Sequence, residues 1–219
     1  MKVAALFSGG KDSTYAVYYA MQQGFDVVAL VTILPKNKES YMFHSLNIEL
    51  TKVQAEAMGI KIYQAESEGV KEEEVEDLEI LLEEVKKREK IEGIICGALA
   101  SEYQKTRVEK ICEDLGLASI TPLWHVDPKT YMEQLISEGF DIRIIGVSAE
   151  GLDKSWLGRR IDKVTLQKLE KLRVHMAFEG GEAETFVVDA PVFKKKIEIN
   201  GEKIWDGNSG FLRITETHI

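Results

Sequence analysis

Short apolar runs alternate with amphipathic stretches along the chain up to residue 120. The runs are wholly or mostly apolar, as in strands that are covered on both faces, and they occupy residues 3–7, 27–33, 60–63 and 93–97. Between them, apolar residues recur with the spacing of a helix that packs along one face. This alternation of strand and helix predicts βαβ units and a parallel sheet.

The predicted helices carry their own stop signals. Glycines suited to a left-handed cap follow three helical stretches, at Gly24, Gly59 and Gly116. The stretch 71–90 is rich in charge, but its apolar residues form one stripe, with acidic residues first and basic residues last. Because that order complements the helix dipole, we interpret 71–90 as a solvated amphipathic helix and not as an acidic binding tail.

The pattern changes after residue 120. Asp127 and Pro128 form a helix start, in which an N-cap acceptor is followed by proline in the first turn. A strand at 142–147 and a helix at 162–173 follow. Near the end of the chain, Asn200-Gly201 predicts a hairpin turn between two short strands.

Length and composition favour a substantial core. At 219 residues and 44% hydrophobic content, the chain can build one large domain or two small ones. The change of pattern favours two domains. We predict an α/β fold with a Rossmann-like parallel-sheet domain over residues 1–122, and a smaller α+β domain over residues 123–219.

The composition also excludes some classes of protein. No apolar run approaches the roughly 20 residues that cross a bilayer, and the N-terminus lacks the features of a secretory signal. Cys96 and Cys112 have no metal or redox spacing, so a cytoplasmic protein is expected. The net charge of −9 argues against binding long nucleic acid, although a local basic cleft keeps a tRNA substrate open. The sequence leaves open whether the chain forms a homo-oligomer.

The segment 8–13, Ser-Gly-Gly-Lys-Asp-Ser, lies between the first strand and its helix. A helix N-terminus at the carboxyl edge of a parallel sheet presents free N–H groups and a positive dipole end to an anion. Gly9 and Gly10 let the backbone approach a phosphate closely. Further phosphate-binding groups are the hydroxyls of Ser8 and Ser13 and the charge of Lys11. Asp12 cannot favour a phosphate by itself, which suggests a magnesium bridge or a structural role in the turn.

This segment is neither of the two commonest phosphate loops. A Walker A loop needs serine or threonine directly after Gly-Lys, and Asp12 stands there instead. A dinucleotide fingerprint needs a third glycine that this segment lacks. The alternative to a phosphate site is a tight strand-to-helix turn capped by serine and aspartate.

A second group of polar residues, Glu-Gly-Gly-Glu-Ala-Glu-Thr at 179–185, places three carboxylates around a glycine pair. Such carboxylates cannot all be buried unpaired, because mutual repulsion and desolvation would raise their pKa values. They need a metal, a cationic substrate group or open solvent. The plain alternative is a polar turn before an edge strand.

The segment 8–13 resembles the PP-loop of ATP pyrophosphatases, whose fold is of the adenine nucleotide alpha hydrolase-like kind. Taken in order with that loop, the blocks at 97–108, 115–117, 122–124, 179–185 and 189–191 resemble the diphthine–ammonia ligase family over nearly the whole chain. The resemblance implies an enzyme that uses ATP and Mg²⁺ to adenylylate the carboxylate of diphthine on translation elongation factor 2. Ammonium would then supply the nitrogen that displaces AMP and leaves an amide.

The resemblance also implies which residues form the site. The ATP side would comprise Ser8, Gly9, Gly10, Lys11, Asp12, Ser13, Thr32, Gly97, Ala98 and Arg107. The substrate side would comprise His44, Tyr103, Trp124, Glu179, Gly180, Gly181, Glu182, Glu184 and Thr185. Catalytic roles are expected for Lys11, Asp12, Glu182 and Glu184, and Asp12 is the candidate metal ligand. For Lys105 and Arg107 a phosphate contact competes with a solvated helix face, and for His44 and His125 a cleft position competes with a purely structural role.

Two features depart from the longer members of the family. Ala183 stands where the family commonly has an aromatic residue, which removes the ring for a stacking contact there. The chain ends at Ile219, so it resembles the compact archaeal form. Two other functions stay open from the residues alone: a PP-loop enzyme that modifies tRNA, and a non-catalytic module that binds ATP. Thiolation is disfavoured because both cysteines lie in core-like positions.

Overall fold

A five-stranded parallel sheet forms in the first half of the computed structural model, which describes residues 1–37, 45–70, 72–172 and 174–219. Its strands are β1 (Lys2–Leu6), β2 (Asp26–Pro35), β3 (Lys61–Ser67), β4 (Gly93–Ile95) and β5 (Ala118–Ile120). They lie in the order β3-β2-β1-β4-β5, and every pair is parallel. The predicted fold class of this half is confirmed, and β5 is a strand that the sequence pattern did not indicate.

The apolar strands are buried because helices cover both faces of the sheet. The helices of this half are α1 (Lys11–Gln22), α2 (Thr51–Met58), α3 (Glu73–Glu89) and α4 (Glu102–Leu115). Successive residues of β1 point to opposite faces. Val3 therefore packs with α1 and α2, while Ala4 packs with α3 and α4, and neither side chain is exposed.

The second half of the chain builds an antiparallel sheet with two helices. Its elements are α5 (Pro128–Ser137), β6 (Asp141–Val147), α6 (Lys163–Leu169), β7 (Ala183–Asp189), β8 (Glu198–Trp205) and β9 (Gly210–His218). The strand order is β7-β6-β9-β8. The predicted helix start at Asp127 is confirmed, since its carboxylate accepts a hydrogen bond from the backbone N–H of Thr130 at 2.9 Å. The helix predicted at 162–173 is shorter, because α6 ends at Leu169.

The hairpin predicted at Asn200-Gly201 is wrong. Strand β8 continues through these residues, which form an irregularity in the pairing with β9. Gly201 is required because a Cβ atom there would collide with the carbonyl oxygen of Arg213. The turn lies at 206–209 instead, where the Asp206 carboxylate accepts from the backbone N–H of Ser209 at 2.8 Å.

The two halves share their cores. One face of the antiparallel sheet packs with α5, α6 and two residues of the first half, Tyr15 and Leu99. The other face packs against α2 through Ala57. The predicted boundary after residue 122 falls between the last strand of the first sheet and α5, and it stays a prediction. None of the helices in the described ranges is both long and apolar enough to cross a membrane.

Gln54 joins α2 to both halves of the chain. Its side chain is fully buried, and Nε2 donates to the carbonyl oxygens of Gly9 and Val187, each at 2.8 Å. The backbone N–H of Val187 also donates to Gly9, at 3.0 Å. These three hydrogen bonds fix the loop after β1 against strand β7.

We expect Gln54→Leu to destabilise the protein. Leucine keeps most of the side-chain volume but removes one donor from the carbonyl oxygen of Gly9 and one from that of Val187. A buried acceptor left short of a donor costs about 1–3 kcal/mol, so the free energy of unfolding should fall by about that amount in urea titrations. The control is Gln22→Leu, at an exposed position near the end of α1. Equal losses in the two variants would contradict the role assigned to Gln54.

Candidate active site

A cavity of about 380 Å³ opens beside the carboxyl ends of β1 and β4. The strand order reverses between these two strands, and such a switch point is where open α/β sheets bind ligands. The apolar lining includes Leu6, Val31, Ile33, Leu78 and Val108. Most of the polar lining comes from the segment 8–13 and from residues 179–185 of the second half, and the rest from Thr32, Ser101 and Gln104. The two segments that the sequence singled out therefore face one cavity.

The segment 8–13 forms the turn into α1, as predicted. Gly10 is the extended N-cap residue, and Lys11 begins the helix. Ser8, Gly10, Lys11, Asp12 and Ser13 all line the cavity. The first N–H groups of a helix have no partner within it and attract an anion. The turn is thus placed to bind a phosphate group in the cavity.

Two glycines of the site are required by close packing. Gly9 has a φ of +79°, and a Cβ atom there would collide with the Gln54 side chain. A Cβ atom on Gly97 would lie 2.9 Å from the carbonyl oxygen of Asp12. Gly97 therefore allows the loop after β4 to approach the start of α1. Gly10 is less restricted, because a Cβ atom there would lie 3.3 Å from its nearest neighbour, the carbonyl oxygen of Thr185.

Lys11 and Asp12 form an ion pair in the lining of the cavity, with Lys11 buried and Asp12 partly exposed. The Lys11 side chain is only 4% exposed, and Nζ lies 3.0 Å from Asp12 Oδ1 and 2.7 Å from Oδ2. The hydroxyl of Tyr131, a residue of α5, donates to the same Oδ1 at 2.9 Å. The negative charge of Asp12 at the start of α1 is thereby compensated by a cation and by a neutral donor.

Thr185 connects the two segments directly. Its Oγ1 accepts a hydrogen bond from the backbone N–H of Lys11 at 3.1 Å. The sequence predicted Thr185 on the substrate side. In the structure its hydroxyl is hydrogen-bonded to the backbone of Lys11, the first residue of α1. Thr32, predicted on the ATP side, lines the cavity, and its buried hydroxyl donates to the carbonyl oxygen of Phe7 at 2.7 Å. Ala98 also lines the cavity.

The three carboxylates of residues 179–185 have different surroundings. Glu182 accepts hydrogen bonds at both oxygens from its own loop, from the backbone N–H of His175 at 3.0 Å and of Gly180 at 2.9 Å. Burial alone would raise the pKa of Glu182, but these N–H groups lower it below its usual range. Glu182 thus shapes the loop, and it is absent from the cavity lining that Glu179 and Glu184 share with Gly181.

Glu179 is the carboxylate of this group whose pKa is raised. The main cause is the loss of water around the carboxylate where the protein covers it, and the second is the negative charge of Asp12. The nearby Lys11 and His175 lower the pKa and offset part of this rise. A backbone N–H group of Ala100, in the loop after β4, also favours the charged form. Glu179 therefore lies near both the turn into α1 and the loop that follows β4.

Several predicted residues lie outside the cavity lining. The Arg107 guanidinium stacks on the Tyr103 ring at 3.5 Å and forms an ion pair with Glu72. Trp124 contacts the ammonium of Lys105, which lies 4.9 Å above its ring. Gly180 supports Glu182 through its backbone N–H. His44 lies outside the described residues.

Sequence reasoning missed Tyr131, Gln54, Phe178 and His175. Phe178 has a φ of +63° and lines the cavity, with Lys11 Nζ 5.8 Å from its ring centre. His175 Nδ1 accepts from the backbone N–H of Ala177 and of Glu179, each at 3.3 Å. The only signal in the sequence for Phe178 and His175 was their closeness to the acidic block at 179–185. Tyr131 and Gln54 are distant in sequence from everything they contact in the site.

Comparison with known proteins gives one consistent result. A family model described as the diphthamide synthase N-terminal domain matches residues 1–119, and one described as the diphthamide synthase C-terminal domain matches residues 127–219. The chain is 35% identical over 247 residues to proteins named diphthine–ammonia ligase from Bos taurus and Homo sapiens, covering 100% of this chain and 92% of each relative. A relative of the same name from Danio rerio is 36% identical over 246 residues, covering 100% of this chain and 96% of its own.

One solved structure, described as a predicted subunit of tRNA methyltransferase from Methanocaldococcus jannaschii, has a TM-score of 0.45 to this chain. It is 20% identical and covers 90% of this chain and 99% of its own. Nothing about function rests on a likeness at this level.

We expect Glu182→Gln to loosen the loop at 175–182, because the amide nitrogen of glutamine would face a backbone N–H group instead of accepting from it. Amide hydrogen exchange should become faster at His175 and Gly180, with Glu150→Gln as the control on a neighbouring exposed loop. The pKa of Glu182 is lowered in the folded state. Its charged carboxylate therefore stabilises the folded protein fully at pH values above its ordinary pKa of about 4.3. That contribution is lost as the pH falls through the lowered value. Unchanged exchange in the variant would refute this role.

Proposed function

The chain belongs to the diphthamide synthase family, and from that premise we propose that it amidates diphthine on translation elongation factor 2. ATP would be converted to AMP and pyrophosphate, and ammonium would supply the nitrogen. The observation that supports this most directly is that the segment 8–13 and the acidic block 179–185 line the same cavity and are joined there by the Lys11–Thr185 hydrogen bond. An ATP-dependent ligation needs both groups of residues at one place.

The reaction has two balanced steps. In the first, a carboxylate oxygen of diphthine attacks the α-phosphorus of ATP, and the bond to the pyrophosphate group breaks. In the second, ammonia attacks the carbonyl carbon of the acyl-adenylate, the bond to the AMP oxygen breaks, and the nitrogen loses a proton. The first step converts a poor leaving group into a good one, which carboxylate amidation requires.

The first step uses the start of α1. The Lys11 N–H already donates to Thr185, so we propose that the other N–H groups of the first turn of α1 and the hydroxyls of Ser8 and Ser13 bind the pyrophosphate portion of ATP. Lys11 would neutralise charge as that portion departs, since preorganised donors and cations stabilise developing charge most effectively in a site with little water. The apolar lining beside Val31 and Leu78 offers a surface for the adenine ring.

A magnesium ion that arrives with ATP fits the donor set. The described residues contain no group of three or more acidic, histidine or cysteine side chains that could hold a metal by themselves. Mg²⁺ is usually held by one or two carboxylates together with substrate phosphates. Asp12 is 28% exposed at its side chain, and a carboxylate accepts at about four positions, so we propose Asp12 as the protein ligand. When bound, the ion would neutralise phosphate charge.

The second step needs a negative group that binds ammonium and removes its proton. We propose Glu179 for this role, with Glu184 as a second carboxylate of the cavity. Glu182, for which a catalytic role was expected from the sequence, is better suited to shaping the loop because both of its oxygens accept from backbone N–H groups. A base works best when its pKa lies close to the working pH, and the pKa of Glu179 is raised in that direction. We also propose action in the cytoplasm, where translation occurs.

The direct test supplies ATP, ammonium and elongation factor 2 that carries diphthine. We expect AMP and a factor that carries an amide in place of one carboxylate, detected by mass spectrometry. Lys11→Ala should lower the rate of AMP formation by about a hundredfold or more, as removal of one oxyanion-stabilising group does elsewhere. Lys110→Ala, on the exposed face of α4, is the matched control. Absence of both products with the wild-type chain would refute the proposal.

The role of Glu179 is tested by changing the nucleophile. Glu179→Gln should keep adenylylation, measured as exchange of labelled pyrophosphate into ATP, and should slow amide formation from ammonium. Hydroxylamine is largely uncharged at neutral pH, so it needs no deprotonation before it attacks and can release its proton to water afterwards; it should restore product formation in the variant. With wild-type enzyme, the rate should fall as the pH drops through the raised pKa of Glu179.

The control for this experiment is Glu202→Gln, an exposed residue of β8. Equal loss of activity with ammonium and with hydroxylamine would show that Glu179 does not act as the base.

A further inference from the structure

Tyr131 brings a buried hydroxyl from the second half of the chain to the start of α1. The residue is completely buried, and its hydroxyl donates to Asp12 Oδ1 at 2.9 Å. The Tyr131 ring packs edge-on against Tyr15 of α1, with ring centres 5.4 Å apart. One turn earlier, the Asp127 cap fixes the first residues of α5. Packing therefore holds this hydroxyl in one place relative to the phosphate-binding turn.

The contact completes the surroundings of the Asp12 carboxylate. Lys11 Nζ lies within hydrogen-bond distance of both oxygens, and Tyr131 is a second donor to one of them. The final torsion of an aspartate side chain is broad and has no sharp preferred value. A donor anchored in a rigid core, as Tyr131 is, fixes that torsion.

We propose that Tyr131 is a positioning residue that holds Asp12, and through Asp12 the Lys11 ammonium, in the orientation that cleavage of ATP requires. This inference rests on the proposed function, since it assigns the Lys11–Asp12 pair to the adenylylation step. It adds that the second half of the chain contributes to that step as well as to substrate binding.

The surroundings of Tyr131 indicate a hydrogen-bond donor and not a proton-transfer group. Burial raises the pKa of its phenol well above the ordinary value, and the adjacent Asp12 charge raises it further. The geometry agrees, because the hydroxyl donates to the Asp12 carboxylate at 2.9 Å. Its contribution is a fixed hydrogen bond to a charged group, which is stronger than a bond between neutral groups.

The test is Tyr131→Phe, which keeps the ring and removes the hydroxyl. We expect the kcat for AMP formation to fall about tenfold, as loss of a hydrogen bond to a charged group does, while the KM for ATP changes less than twofold. Tyr15→Phe removes a hydroxyl from the same core cluster and should leave kcat near the wild-type value. A wild-type kcat in Tyr131→Phe, or equal losses in both variants, would overturn the inference.

A double-mutant cycle separates positioning from general destabilisation. If Tyr131 acts through Asp12, adding Tyr131→Phe to Asp12→Asn should cause no further loss of kcat beyond the single Asp12 variant. Multiplying losses in the double variant would overturn the inference. AMP formation by the wild-type chain is measured alongside, so a failure of the proposed function itself would appear there, independently of the variants.

Two non-natural residues keep the test valid if the phenylalanine variant does not fold. Incorporation of 4-fluorophenylalanine at position 131 fills the space of the hydroxyl but cannot donate, so the tenfold loss should persist. Incorporation of 4-aminophenylalanine restores a donor and should recover most of the rate. Equal rates with the two residues would overturn the inference.

Discussion

The turn between β1 and α1 keeps its shape through hydrogen bonds from the second half of the chain. A helix start can bind a phosphate only while its N–H groups stay in place, yet this turn also contains a carboxylate, Asp12. The conflict is relieved by Lys11, which pairs with Asp12, and by Tyr131, which donates to it. Thr185 fixes the backbone at Lys11. The turn is therefore completed by residues 119 and 174 positions away from their partners.

The parts of the molecule that follow local rules could be predicted from the sequence. A continuously apolar run such as 3–7 is buried on both faces because helices cover the sheet, and the run itself indicates this. Gly59 and Gly116 end their helices in the left-handed conformation, as the pattern predicted. The turn from β1 into α1 could be predicted for the same reason, since its strand, glycines and helix are contiguous in the chain. The pairing of that turn with residues 179–185 in one cavity followed from the family resemblance and not from any local rule.

Features that depend on long-range contacts could not be predicted. Asn200-Gly201 favours a hairpin locally, but β8 continues through it and pairs with β9. Glycine is needed there because the carbonyl oxygen of Arg213 on β9 leaves no room for a Cβ atom. Glu182 and Glu179 look equivalent in sequence. Only the folded loop gives Glu182 two backbone donors and leaves Glu179 near Asp12. Composition and periodicity carry no information about such partners, because each depends on how distant segments pack.

The two steps of the proposed reaction make opposite electrostatic demands on one cavity. Departing pyrophosphate requires positive charge, whereas ammonium requires negative charge and a base. Asp12 lies between these demands, because Lys11 and Tyr131 hold its carboxylate while its charge still raises the pKa of Glu179. A free aspartate in this position would repel the phosphates, whereas Lys11 and Tyr131 compensate the charge of this one. A charged Asp12 fixed by two donors is compatible with both steps, which gives a physical reason for a carboxylate inside a phosphate-binding turn.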